Sequence, residues 1–409
     1  MGNFEVNILI KHFGVICVSS PAIEFHKKLR GKISVEAKAK INSREDLSLA
    51  YTPGVAEPCL EIAKDPKKVY DYTMKGNSVA VVTDGTAVLG LGDIGPHASL
   101  PVMEGKAVLF KEFANIDAFP IALDTKKVDE IVAVVKAIAP VFGGVNLEDI
   151  SAPRCFEVEE RLQELGIPVM HDDQHGTAVV VYAAVTNSLK VTGKKMSDVN
   201  VVVNGSGAAG VAVSKLLAGV GFDDAKQERV KDIVLLDSKG IISKSRSDLD
   251  ENKKKLLVFS NKKNISGGLK EALSGADIFI GVSKGNLLTK EHIKLMNKNP
   301  IIFALANPTP EIMPNLAIEA GAAIVGTGRS DFPNQINNVL AFPGIFRGAL
   351  DAKAVRITPK MKLAAALALA SSIVPTKNAV LPSPLDKSVV AKVAEAVKKQ
   401  AILEKVVRE

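Results

Sequence analysis

The run Val201-Val202-Val203-Asn204-Gly205-Ser206-Gly207-Ala208-Ala209-Gly210, followed by Val211–Leu217, decides how the chain is read. An apolar strand enters a Gly-x-Gly-x-x-Gly turn and leaves it as a helix-length apolar segment. That context turns a weak glycine pattern into a dinucleotide-binding signal. Gly205 permits the tight turn, Gly207 lets the backbone approach a pyrophosphate, and Gly210 lets helix and strand pack closely. Ser206, Ala208 and Ala209 complete a helix start whose N–H groups and partial positive charge suit phosphates. The next strand-like run, Ile233–Leu236, ends at Asp237, where an acid can bind ribose hydroxyls. The gap from Gly210 is longer than the usual spacing of about 20 residues. The insertion Gly221–Lys231 accounts for it.

Outward from this turn, apolar runs alternate with helical patterns. The first half offers strands at Val79–Thr83, Phe119–Leu123, Val141–Leu147 and Ile167–Met170, with helices at Val128–Ala139, Glu157–Leu165 and Thr177–Leu189. The second half offers Val199–Asn204, Asp232–Leu236, Asp277–Val282, Ile301–Leu305 and Ala322–Val325. Unbroken Val/Ile/Leu strands alternating with helices predict two parallel-sheet α/β domains, the second a Rossmann-like dinucleotide-binding domain. Lys239–Ser266 reads as a long surface loop. Lys360–Ile373 and about Asp386–Val407 read as C-terminal helices packing back. The expected division is an N-terminal extension at 1–22, a substrate and metal domain at 23–192, a dinucleotide domain at 193–355 and a helical segment at 356–409.

Strand after strand ends in acids: Asp84, Asp124, Glu148 with Asp149, Asp172 with Asp173, and Asp237. Ligands of open α/β sheets bind outside the carboxyl ends of the strands, so several acids would share one rim. A lone Asp there also serves as a helix cap, but only one residue of an adjacent pair can do so. Glu148, Asp149 and Asp173 offer hard oxygen ligands suited to Mg²⁺ or Mn²⁺. His171 and His175 lack the His-Glu-x-x-His pattern of a helical zinc site and read as packing residues or partners of the ligands. Lys106, in an apolar stretch, must snorkel, pair with an acid or lose its proton.

Composition narrows the rest. The 409 residues are 47% hydrophobic and 24% charged, which excludes a disordered chain and gives ample length for two or three domains. Cys17, Cys59 and Cys155 form no disulfide framework and suit a reducing compartment. The net charge of +7 suits small anions. No Trp and four Tyr leave little to stack on nucleic-acid bases. No apolar run reaches the roughly 20 residues of a membrane span, and no leader is evident, so the expected place is the cytoplasm without membrane or nucleic-acid partners.

The motifs taken together resemble the malic enzymes of the short bacterial or archaeal type. The resemblance rests on Tyr51-Thr52-Pro53-Gly54-Val55-Ala56, Val82-Thr83-Asp84-Gly85, Gly90-Leu91-Gly92-Asp93-Ile94-Gly95 and Pro101–Lys106. It continues through Asn146–Ile150, His171–Ala178, Gly205–Gly210, Phe303–Thr309, Asn337-Asn338-Val339 and Phe342-Pro343-Gly344. It implies oxidative decarboxylation of L-malate to pyruvate and CO₂ with NAD or NADP and Mg²⁺ or Mn²⁺, oxaloacetate decarboxylation as a partial reaction, and a homodimer or higher oligomer. By motif position it implies a neutral Lys106 as the base, Tyr51 as the acid that protonates the enol, and Asp172 as an acid beside the base. It further implies Glu148, Asp149 and Asp173 as metal ligands and Asn307 and Asn338, with Lys106, as substrate contacts. The larger eukaryotic enzymes carry a carboxylate-binding arginine after the Thr-Asp-Gly motif, where this chain reads Thr86-Ala87-Val88.

Asp237 favours NAD, whereas Ser238, Lys239 and Lys253–Lys255, with Lys254 in the middle, favour the 2′-phosphate of NADP; the balance tips slightly to NADP. The alternative is a metal-independent NAD(P)-dependent 2-hydroxy-acid or amino-acid dehydrogenase of similar fold, for which the acid triad would be unnecessary. A non-catalytic dinucleotide or nucleic-acid binder would tolerate loss of Lys106 and Tyr51.

Overall fold

In the computed structural model, residues 20–222 and 228–408 are described. The N-terminal extension up to residue 19, with Cys17 and the apolar run from Ile8, lies outside them, as do residues 223–227 of the insertion.

The first sheet holds β1 (Ser78–Thr83), β2 (Asp117–Ala122), β3 (Gly144–Leu147) and β4 (Val169–His171), in the order β2-β1-β3-β4. All its pairings are parallel. β1 is buried along its whole length, as a strand covered on both faces must be. The second sheet holds β5 (Asn200–Asn204), β6 (Asp232–Asp237), β7 (Gly240–Ile241), β8 (Ile278–Gly281), β9 (Ile301–Ala304) and β10 (Ile324–Thr327). Its order is β10-β9-β8-β5-β6-β7, parallel except for the edge strand β7. The strand carrying the glycine turn, β5, is central, and the chain reverses direction across it.

One apolar core spans both sheets. It includes Met103 and Phe110 of the helix Gly95–Ala114, Val179–Val185 of the helix Asp172–Thr192, Val213 and Leu217 of the helix Ala208–Ala218, and the helices after the second sheet. Phe110 packs edge-to-face on Phe342 and Phe346, at 4.8 and 5.4 Å between ring centroids. The segment from Phe342 onward therefore returns to the first sheet.

Two sequence expectations are corrected. The helix read as Thr177–Leu189 begins at Asp172. Both Asp172 and Asp173 fall in its first turn, where the helix dipole favours negative charge, so an acid pair does not need a strand end. Lys239–Ser266 is not structureless: it contains β7 and a helix at Glu251–Leu256, started by the Asp250 carboxylate accepting from Lys253 N at 2.9 Å. Lys360–Ile373, read as a helix packing back, forms the helix Pro359–Ala370 and buries Met361, Ala365, Ala366, Leu369 and Ala370 within this chain.

Among the described residues no helix is long and apolar enough to cross a membrane.

Candidate active site

Strand ends β1, β3 and β4 are in register, Val82 beside Leu147 and Leu147 beside His171. Residues that follow them share one rim. Glu148, Asp149 and Asp173 bring a carboxylate oxygen each within 4.8 Å of one another. Lys106 comes from the helix Gly95–Ala114, where Ser99, Met103, Lys106, Phe110 and Ala114 form the buried stripe. It occupies a core position, and its charge is answered by acids. Nζ lies 2.6 Å from Asp172 Oδ2 and 2.9 Å from Glu148 Oε1. The Phe342 ring covers it at 4.2 Å.

Asn338 Nδ2 donates to the same Asp172 Oδ2 at 2.6 Å. Asn146 Nδ2 donates to Glu148 Oε2 at 2.8 Å. Gly176 leaves the space that the Asp172 carboxylate uses, since a Cβ there would stand 1.8 Å from Asp172 Oδ1.

Burial disfavours charge on every group here, and the neighbours decide the balance. For Lys106 the carboxylates of Asp172 and Glu148 outweigh burial and hold the ammonium above its ordinary range. Of the fates open to a buried lysine, the geometry shows pairing with acids. Burial, then Asp173 and Glu148, push Asp149 up to about 9. Burial pushes Asp172 up to about 7 against the pull of Lys106. Four acids thus face one ammonium. Asp149 Oδ2 is buried with no hydrogen-bond partner among the described residues. Oxygen donors, excess negative charge and an unpartnered carboxylate oxygen fit a hard divalent cation at Glu148, Asp149 and Asp173.

Tyr51 and Asn307 make no hydrogen bond to a cluster carboxylate among the described residues. Tyr51 follows the helix Arg44–Ala50 and is 67% exposed, its hydroxyl without a partner among the described residues. Asn307 is exposed, and its carbonyl lies against Gly90, where a Cβ would meet it at 2.0 Å. The Gly90 loop of the first unit thereby touches the second. His175 bonds Glu159 Oε2 at 2.9 Å rather than facing a metal, and Glu159 also accepts from His171 N at 3.0 Å and Gln174 Nε2 at 3.1 Å. Both ring nitrogens of His171 are buried without a partner among the described residues.

The second rim is a cleft of about 1080 Å³ lined by Ala152, Pro153 and Phe156 of the first unit and by Gly205–Gly207, Asp237, Ser238, Lys239 and Lys253 of the second. Gly205 has φ +128°, and a Cβ on Gly210 would stand 1.8 Å from Gly205 O. A Cβ on Gly207 would meet nothing within 4 Å, and the helix Ala208–Ala218 starts there without a side-chain cap. Open space against bare amides fits a pyrophosphate.

Asp237 is paired with cations on both oxygens: Arg246 at 2.7 and 3.1 Å and Lys253 at 2.7 Å. Burial opposes its charge, but these partners hold the carboxyl down to about 2. Lys254 instead pairs with Glu251 at 2.7 Å, outside the cleft lining, so the cation beside Asp237 is Lys253 rather than Lys254. Sequence reading missed Arg246, because it lay in the stretch taken for loop. It also missed Arg154, whose Nη2 donates to Asp84 Oδ2 and Thr86 Oγ1 at 2.8 Å each.

Fold and site define a two-sheet α/β protein of the dinucleotide-binding class, with an acid cluster at the joint between its units. Residues 30–163 match the family profile of the malic enzyme N-terminal domain, and residues 174–402 that of the malic enzyme NAD binding domain. The chain belongs to the malic enzyme family. It is 58% identical over 386 residues to the bifunctional malic/malolactic enzyme of Bacillus subtilis, covering 93% of this chain and 92% of that one. It is 52% identical over 396 residues to the NAD-dependent malic enzyme of Geobacillus stearothermophilus, covering 96% and 81%. The crystal structure of the NAD-dependent malic enzyme of Thermotoga maritima is similar with a TM-score of 0.89 at 51% identity, covering 93% of this chain and 99% of that one. NADP-dependent malic enzymes are among the relatives as well.

Proposed function

We propose that this chain oxidises and decarboxylates L-malate to pyruvate and CO₂, using Mg²⁺ or Mn²⁺ and a nicotinamide dinucleotide. The observation that carries the reading is Lys106 Nζ held 2.6 Å from Asp172 and 2.9 Å from Glu148, beside a cation-fitting acid cluster and next to the dinucleotide cleft. The bound groups supply Lewis-acid polarisation of the hydroxyl and carbonyl oxygens and an acceptor for hydride.

The chain's own residues manage protons. Lys106 Nζ becomes a base once its proton is passed to Asp172 Oδ2, the acid it touches at 2.6 Å. It then takes the proton of the malate C2 hydroxyl as hydride leaves C2. Asn338 holds Asp172 in place for that exchange. Protonation of the enol after CO₂ departs is assigned to Tyr51 by motif position, with its hydroxyl in the exposed layer that a second copy would cover. Residues 23–192 are assigned to the substrate and metal unit and 193–355 to the dinucleotide unit, except that the helix Phe342–Asp351 already packs back on the first unit ahead of the helical segment 356–408. Absorbance in the reduced-nicotinamide band, with malate, Mn²⁺ and NAD⁺ or NADP⁺ in turn, tests the reaction; no signal with either dinucleotide sinks it.

NADP is the favoured dinucleotide. Its support is the excess of cations beside the ribose position, where Arg246, Lys253 and Lys239 surround the two carboxylates of Asp237 and Asp248.

The working form is a homodimer. Among the described residues, the helices Pro21–Leu29, Arg44–Ala50, Ala56–Lys64 and Val69–Tyr72 bury none of their residues, and Val35, Leu49, Leu60 and Tyr51 stand in solvent. So apolar a layer is what a second copy would cover, and Tyr51 belongs to it. Light scattering at micromolar concentration should give twice the chain mass; a monomer would contradict it.

A further inference from the structure

Within the acid cluster, Asp149 alone has a left-handed backbone, φ +53°. L residues disfavour that conformation, and it persists where the surroundings over-determine it. Here they do so through the peptide groups of Asp149. Its N–H donates to Asp173 Oδ2 at 2.8 Å. Its carbonyl accepts from Thr86 N at 3.1 Å and Ala87 N at 2.9 Å.

The first of those amides is fixed in turn by a small closed network. Asp84 Oδ1 accepts from Thr86 N at 3.1 Å and from Thr86 Oγ1 at 2.5 Å. Thr86 Oγ1 accepts from Ser151 N at 3.0 Å and from Arg154 Nη2 at 2.8 Å, so its one hydrogen and both lone pairs are used. The same Arg154 nitrogen donates to Asp84 Oδ2 at 2.8 Å. Asp84 and Thr86 are buried, and none of the three side chains hydrogen-bonds a cluster carboxylate among the described residues. The network acts on the backbone that aims one of them.

We propose that Asp84, Thr86 and Arg154 are positioning residues that lock Asp149 in its left-handed conformation and so set the affinity of the acid cluster for its divalent cation. This rests on the reading of Glu148, Asp149 and Asp173 as cation ligands. Partners that orient metal ligands are commonly worth about 10- to 100-fold in metal affinity.

The test is Mn²⁺ binding by the full chain, followed by the electron paramagnetic resonance of free Mn²⁺ without malate or dinucleotide. Thr86→Val keeps the shape and loses the hydroxyl; Arg154→Gln removes the cation. Both should raise the Mn²⁺ Kd about 10- to 100-fold, with NADP⁺ binding unchanged, while Thr86→Ser should restore wild-type affinity. Arg154→Gln keeps the test decisive if Thr86→Val lowers the melting midpoint of the metal-free chain. Unchanged Mn²⁺ Kd in both variants overturns the proposal. So does an Arg154→Gln enzyme whose malate KM alone rises, since that marks direct substrate contact. A wild-type chain that binds no Mn²⁺ fails earlier, at the ligand assignment itself.

Discussion

The two sheets offer their carboxyl-end rims to one joint, and they treat charge in opposite ways. At the first rim, Glu148, Asp149, Asp172 and Asp173 face the single ammonium of Lys106, and Lys106, Glu148 and Asp172 are almost wholly buried. At the second, the two carboxylates of Asp237 and Asp248 face Arg246, Lys253 and Lys239, all three at least partly in water. One rim is short of positive charge and the other of negative charge. On the function proposed above, each imbalance matches a ligand: a divalent cation at the first rim, phosphate oxygens at the second.

Removing the ammonium should break the first rim outright. Lys106→Ala is expected to slow malate oxidation by about 10²- to 10⁴-fold while sparing decarboxylation of added oxaloacetate, which needs no hydroxyl deprotonation. Equal losses in the two assays would refute the proton role.

Metal removal probes the same deficit through stability. Asp149, Asp172 and Asp173 all bind protons more tightly in the folded chain than an ordinary carboxylate does, Asp149 up to about 9. In the window from the ordinary 3.8 up to that value, folding takes up protons, so the metal-free chain should lose stability as pH rises. Mn²⁺ at a hundred times its pH 8 Kd should return about 2.7 kcal/mol at pH 8 and less at pH 5, where protons compete for the carboxylates. Differential scanning calorimetry with and without EDTA reads both. A melting midpoint that rises with pH without metal would contradict the burial of those charges.

The second rim yields more gently, because water already screens it. Lys253→Gln should raise the KM for NADP⁺ about tenfold, roughly 1.4 kcal/mol, and leave that for NAD⁺ nearly unchanged. Lys254→Gln, removing a cation held by Glu251, should change neither. A wild-type enzyme preferring NAD⁺ by tenfold would place Arg246 and Lys253 in the service of Asp237 alone.

What could be read beforehand follows the same divide between local and distant. β5, the glycine turn and the helix after it are consecutive, so their pattern is visible in one stretch, and buried parallel strands announce themselves by composition. The acids at strand ends were legible for the same reason. The partners that give them meaning were not. Arg154 meets Asp84 across 70 residues, and Asn338 meets Asp172 across 166. No periodicity encodes such pairs, and only the resemblance pointed to Asn338. Arg246 lies nine residues from Asp237 and was lost for another reason: Lys239–Ser266 has no periodic apolar pattern, because its short strand and helix are held by caps and ion pairs.

The return of Phe342 and Phe346 to Phe110 has a consequence for the chain as a heritable object. The dinucleotide sheet is, topologically, an insert between two parts of a single core, since the ring that covers Lys106 is encoded after the last strand of the other sheet. A fragment ending at residue 192 would carry every acid of the cluster and still expose the Phe110 face and uncover its lysine. The two units are therefore not exchangeable cassettes. A graft that swapped the dinucleotide unit for another would have to re-enter the first core with an aromatic pair at the same spacing, and a ribosome must finish both sheets before the base of the reaction has its complete surroundings.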